Sequence, residues 1–158
     1  MYNIANAYAY GRGVKASDHN ALLYYEGASE AGDPMAQFTL GLWYYQGKGG
    51  LNADVKKSFQ LQLQAAQQGH PAAMFNVGTA YLVGDGIGKD VSEAVEWLEK
   101  AGQVGIVEAR LNLAKVYMDG AGVDKDLHKA KQYLIDIAAR HEIARMLLAE
   151  IELRMAES

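Results

Sequence analysis

His19, His70, His128 and His141 are the side chains best suited to acid–base or metal chemistry near neutral pH. No two of them stand four residues apart, so no helix offers a histidine pair to a zinc ion, and the patterns H-E-x-x-H, G-x-S-x-G and S-x-x-K do not occur. The chain has no cysteine, which removes a thiolate nucleophile, a zinc–thiolate site and a disulfide framework together. Glu93, Glu96 and Glu99 recur every three residues, the spacing of a solvated helix face, and Lys56-Lys57 and Lys129–Lys131 read the same way. His70 and His141 read as solvated residues of inter-repeat connections, and His19 and His128 as exposed residues near helix starts. No catalytic group, metal or cofactor is expected.

Glycine carries the other chemical possibility. The triplets Gly11-Arg12-Gly13, Gly47-Lys48-Gly49, Gly84-Asp85-Gly86 and Gly120-Ala121-Gly122 could suggest phosphate loops. A phosphate loop needs a preceding strand and a G-x-x-G continuation, and the sequence supplies neither. Their first glycines are instead spaced at 36, 37 and 36 residues. A tyrosine stands three residues before each: Tyr8, Tyr44, Tyr81 and Tyr117. Gly32, Gly69 and Gly105 share the period, as do Ala36, Ala73, Ala109 and Ala144. Several independent markers on one period identify a repeat protein. Gly50 reads as a one-residue insertion in the second loop, where an insertion costs little.

Each unit must then be two helices. The first is expected to run from the alanine to the G-x-G, with Phe75, Gly78, Tyr81 and Leu82 at helical spacing. Both glycines of the triplet are read as stops, because glycine enters the left-handed region without steric cost. The second helix starts near Asp54, Asp90 or Asp126, whose carboxylates can cap free N–H groups, and the second glycine series closes it. Gly41, Gly78 and Ala114, with Ala21, Ala94 and Ala130, mark where paired helices approach closely. The rings of Tyr44, Tyr81 and Tyr117 are expected to fill the space between layers.

These markers resemble the Sel1-like repeat, a relative of the tetratricopeptide repeat. The third unit carries the pattern as Ala73, Val77-Gly78, Tyr81, Gly84-Asp85-Gly86-Ile87, Asp90, Ala94, Trp97, Ala101 and Gly105. Tyr24, Leu61 and Tyr133 replace the tryptophan, Leu113-Ala114 replaces Leu-Gly, and His141 takes the closing glycine's place. The resemblance implies an all-α, right-handed α-solenoid (superhelix) of helix-turn-helix repeats. It is expected as one domain, with repeats at about 1–35, 36–72, 73–108 and 109–143 and a capping helix over 144–158. Glu150, Glu152 and Arg154 are read as that cap's polar, solvent-facing side.

The resemblance further implies an adaptor that holds a protein or peptide in a groove lined by the first helices. By analogy with tetratricopeptide repeats, the groove positions are Asn6, Ala9 and Tyr10 in repeat one, and Leu42, Tyr45 and Gln46 in repeat two. They are Thr79, Leu82 and Val83 in repeat three, and Lys115, Met118 and Asp119 in repeat four. Tyr10, Tyr45, Leu82 and Met118 form an apolar row suited to apolar anchors of a partner. Asn3, Asn76 and Asn112 recur just before the Leu-Gly position, with Thr39 in repeat two, and are assigned to bonds with neighbouring loops.

A formal charge of −4 disfavours nucleic acid, whose affinity comes from Lys and Arg. No apolar run approaches the roughly 18 residues of a membrane span. No basic segment precedes an apolar core at the N-terminus, so a cytoplasmic protein is expected, periplasmic or secreted if the chain belongs to a longer one. A monomer or weak homo-oligomer is expected. Two other readings stay open: a self-assembly module, and a cell-wall or carbohydrate hydrolase or binding protein. The cell-wall association belongs to cysteine-rich relatives, which this chain does not resemble.

Overall fold

The computed structural model describes residues 1–157. Among them are nine α-helices, a short 3-10 turn at Lys48–Gly50, and no strand. The chain forms two compact units, Met1–Lys89 and Asp90–Ser158. The first holds α1 (Tyr2–Tyr10), α2 (Asp18–Glu30), α3 (Pro34–Gln46), α4 (Val55–Gln67) and α5 (Pro71–Val83). The second holds α6 (Val91–Gln103), α7 (Val107–Asp119), α8 (Leu127–Ile135) and α9 (Glu142–Ala156). Within each unit every helix packs mainly on its neighbours in the chain.

The helix ends follow from sequence chemistry. Gly11, Gly47, Gly84 and Gly120 adopt left-handed backbone and close α1, α3, α5 and α7. The side chains of Ser17, Asp54, Asp90 and Asp126 accept a backbone N–H three residues on, opening α2, α4, α6 and α8. The first helices of repeats two and three begin two residues before the expected alanines. Asp33 and His70 cap Pro34 and Pro71, and proline at the first helical position sacrifices no hydrogen bond.

His70 is therefore not a solvated loop residue. Its Nδ1 accepts the Ala73 N–H at 3.2 Å, and its ring stacks on Phe38 with centroids 4.3 Å apart. Burial holds its pKa below the usual imidazole range. His141 occupies the same cap position of α9 without a capping bond, and its Nδ1 is buried with no partner among the described residues. His19 and His128 are exposed.

The second glycine of each triplet is more than a stop. A Cβ on Gly86 would stand 2.5 Å from the carbonyl oxygen of Val55, at the start of α4. A Cβ on Gly122 would stand 2.5 Å from a Val91 methyl, at the start of α6. A Cβ on Gly49 would meet the Trp43 ring at 2.7 Å and come within 3.6 Å of the Asp18 carbonyl of α2. Each loop thus presses on the start of the preceding repeat's second helix. Gly13, which has no preceding repeat among the described residues, meets nothing within 4 Å. The inserted Gly50 lies in the 3-10 turn, beside Lys48, which stacks on Trp43 at 4.7 Å.

The core of the first unit is built on Ala5, Ala21, Tyr25, Leu40, Trp43 and Tyr44. Tyr25 is 1% exposed, meets Trp43 edge-on at 5.2 Å, and donates its hydroxyl to Asn6 Oδ1 at 2.6 Å. Burial pushes its pKa up to about 12. The small residues behave as expected: Ala21, Ala94, Ala114 and Ala130 are fully buried, and a Cβ on Gly41 would meet Gln62 Cγ at 3.0 Å and the Ser58 carbonyl at 3.2 Å. Tyr44 and Tyr117 are buried and accept hydrogen bonds from Lys57 and Lys129 at 2.7 and 2.6 Å, which hold both ammonium groups above their usual pKa range. Tyr81 departs from this pattern: it is half-buried and packs edge-on against Phe59.

The second unit is centred on Leu98, Leu113, Leu134 and Ile151. On the capping helix Glu150 and Glu152 are exposed and Arg154 is half-buried. Glu152 pairs with Lys131 of α8 at 2.8 Å, and Arg154 reaches Glu150 and Asp119 of α7. These charges tie α9 back onto its own unit. Its exposed side carries Ile143, Met146 and Leu153, spaced along one helical face.

Two outcomes follow. Tyr25→Ala lowers unfolding free energy by about 3–5 kcal/mol in urea titrations followed by circular dichroism. Tyr25→Phe, which keeps the ring and loses the bond to Asn6, costs about 1 kcal/mol. His70 has a folded pKa below its unfolded value near 6.5, so its contribution is complete above that pH and fades as pH falls through the folded value. The melting temperature therefore drops more between about pH 7.5 and 5 in the wild type than in His70→Asn, which caps without titrating, and equal drops would contradict this.

Candidate functional site

A pocket of about 240 Å³ opens within the first unit, between α3, α4 and α5. Helical periodicity supplies its walls. Leu42 and Tyr45 come from α3; Val55, Ser58, Phe59 and Gln62 from α4; Phe75, Asn76, Thr79, Ala80 and Val83 from α5. Steps of three and four residues keep each set on one helix face. Asp85, from the loop after α5, completes the rim.

The pocket wall includes one polar pair. Asn76 donates its side-chain N–H to Gln62 Oε1 at 2.9 Å, and Gln62 is 6% exposed. A buried amide is tolerable because its carbonyl is bonded. The corresponding positions of the other repeats hold Tyr25, Leu98 and Leu134, all fully packed. Gly41 makes room for this amide, since a side chain there would collide with it. Thr79 donates its hydroxyl to the Phe75 carbonyl at 2.9 Å, so that donor is already used. The rim is apolar and open: Tyr45 is 52% and Val83 67% exposed.

Asp85 stands apart electrostatically. It occupies the middle of its G-x-G loop, where Arg12 and Lys48 stand in the first two repeats. Those cations lie over Tyr10 and Trp43 of their own repeats, at 5.4 and 4.7 Å. Asp85 makes no ion pair among the described residues, and it is the one charged group of the pocket lining.

Of the positions expected from sequence, Leu42, Tyr45, Thr79 and Val83 converge on this pocket. Gln46 and Leu82 lie outside its lining, Gln46 exposed and Leu82 half-buried. Tyr10 is 65% exposed. Asn6 is occupied as the acceptor for the buried Tyr25 hydroxyl. In the second unit Lys115 is exposed, and Asp119 is exposed and 3.7 Å from Arg154. Met118 is a correction: it is 3% exposed and cannot serve as a surface anchor. Arg154 of α9 bonds the Met118 carbonyl at 3.5 Å. Asn76, expected to bond a neighbouring loop, instead has Gln62 on helix α4 as its partner. Sequence reasoning passed over Gln62 and Asp85, although both break their columns in the aligned repeats, one by polarity and one by sign of charge.

A second concavity, of about 350 Å³, lies in the second unit beside Glu99, Arg110, Tyr133 and Asp136. Tyr133 donates to Glu99 at 2.6 Å, and burial with that bond raises its pKa. Lys129 lies 3.6 Å from Glu99, and Arg110 lies 3.9 Å from Asp136. These charges are matched by one another, as in a structural network.

The Sel1 repeat family model matches residues 1–33, 34–70, 71–105 and 107–136. A Sel1 repeat protein from Oxalobacter formigenes is similar in structure, with a TM-score of 0.88 and 32% identity over 94% of this chain and 61% of its own. So is c5321, a protective antigen of uropathogenic Escherichia coli strains displaying an SLR fold, with a TM-score of 0.88 and 31% identity over 95% of this chain and 32% of its own. The chain thus spans less than two thirds of the length of either. No curated protein matches it. With four consecutive repeats matched and the all-α repeat fold shared with both solved structures, the chain belongs to the Sel1 repeat family.

Proposed function

We propose that the protein is a non-catalytic adaptor that binds a protein or peptide along the faces of its first helices, with the pocket of α3, α4 and α5 as its main contact. Sel1-repeat proteins generally mediate protein–protein interaction and are typically non-catalytic. The observation that carries the finer reading is the convergence of Leu42, Tyr45, Thr79 and Val83 on one open, mainly apolar pocket. Exposed apolar groups around a concave site favour a partner with apolar anchors. The pocket lining holds one carboxylate, Asp85, and no histidine, so among the described residues no acid and base converge there for a hydrolase.

A Tyr45→Ala, Val83→Ala double variant tests this reading. Both side chains are exposed, so the fold should persist, checked by circular dichroism. Recovery of specific partners in a pull-down should fall about tenfold or more, as expected when two anchors are truncated. Equal recovery from wild type and variant contradicts it.

The apolar stripe of α9 favours a second reading, self-assembly through Ile143, Met146 and Leu153. On that reading the light-scattering mass rises with concentration, and Ile143→Glu with Met146→Glu abolishes the rise. A monomer mass at all concentrations removes it.

A further inference from the structure

We propose that the pocket between α3, α4 and α5 takes the apolar side chain of a peptide residue that is flanked by a lysine or arginine. The inference deepens the peptide-binding reading above and rests on it.

Size and lining set the anchor. The volume of about 240 Å³ exceeds the roughly 150 Å³ at which an apolar cavity in another protein accepts benzene. One aromatic or branched aliphatic side chain therefore fits, and a large cofactor does not. Leu42, Phe59, Phe75 and Val83 offer it apolar contact. The wall donors are largely committed within the chain: Asn76 donates to Gln62, and Thr79 donates to Phe75. A strongly polar anchor would lose its hydration for few bonds in return.

Charge sets the neighbour. The lining holds one charge, the Asp85 carboxylate, and no Lys, Arg or His. In the loops where Arg12 and Lys48 stand, each cation is matched by an aromatic ring of its own repeat. Asp85 reverses the sign at that place and has no cationic partner among the described residues. A basic residue beside the anchor completes the pair, and the half-exposed Tyr45 ring on the same rim offers it a cation–π contact. An acidic segment would meet repulsion from Asp85 there.

The test is a selection of random heptapeptides displayed on phage against the full chain, with Thr79→Trp and Asp85→Lys in parallel. Selected peptides are then measured by fluorescence anisotropy. The expected result is an enriched pattern of one large apolar residue next to Lys or Arg. Thr79→Trp, which fills the pocket, should abolish binding. Asp85→Lys lies in a loop and breaks no bond seen in the fold. It should weaken basic peptides by about fivefold or more and shift enrichment toward acidic ones. Replacing the peptide's apolar residue by Ser should weaken binding about tenfold or more. Peptides that bind Thr79→Trp and Asp85→Lys as tightly as wild type overturn the pocket assignment while leaving peptide binding in place. Enrichment of no peptide over the bare support overturns both.

Discussion

A loop can lie against the start of a neighbouring helix only if nothing projects from it at the contact. In the first unit Gly86 meets this condition against the Val55 carbonyl, and in the second Gly122 meets it against the Val91 side chain. Nearest-neighbour contact of this kind is how repeat proteins are held, since a single helix pair cannot bury its own apolar faces. The consequence for the site is direct. Val55 and Asp85 both line the pocket of the first unit, and the Gly86 contact sets the distance between the elements that carry them. The pocket is therefore a product of the stacking, with one wall from one repeat and one from the next.

Polar groups inside the first unit obey a similar economy. The Tyr25 hydroxyl is buried and bonded to Asn6, and the Gln62 carbonyl is buried and bonded to Asn76. Each pair joins two helices and fixes a relative position that apolar contact alone would leave looser. At the aligned positions in the second unit stand Leu98 and Leu134, both fully buried. The Gln62 amide, buried and bonded to Asn76, forms part of the pocket wall.

Much of this was legible in the sequence because periodicity shows more than any single residue. The caps at Asp54, Asp90 and Asp126 and the stops at Gly47, Gly84 and Gly120 could be read from type and position alone. The Asp-Pro and His-Pro starts of α3 and α5 were misjudged by two residues, because the alanine column marks close packing and not the helix end. Met118 could not be judged from its own repeat. It is 3% exposed, and Arg154 of α9, 36 residues away, bonds its carbonyl at 3.5 Å. The second glycine was read as a stop, since a positive φ is all that a local reading can assign. Its contact with the preceding repeat is tertiary.

Two matched substitutions test the stacking account most directly. Gly13 and Gly86 have nearly the same backbone, with φ of 76° and 75°, and Gly13 faces open space while Gly86 faces Val55. In urea unfolding, Gly13→Ala should cost about 1–2 kcal/mol, the expense of a left-handed alanine. Gly86→Ala should cost roughly 1–3 kcal/mol more, because the loop must also lift from α4. Equal losses for the two variants would contradict the claim that the second glycine holds one repeat against the next.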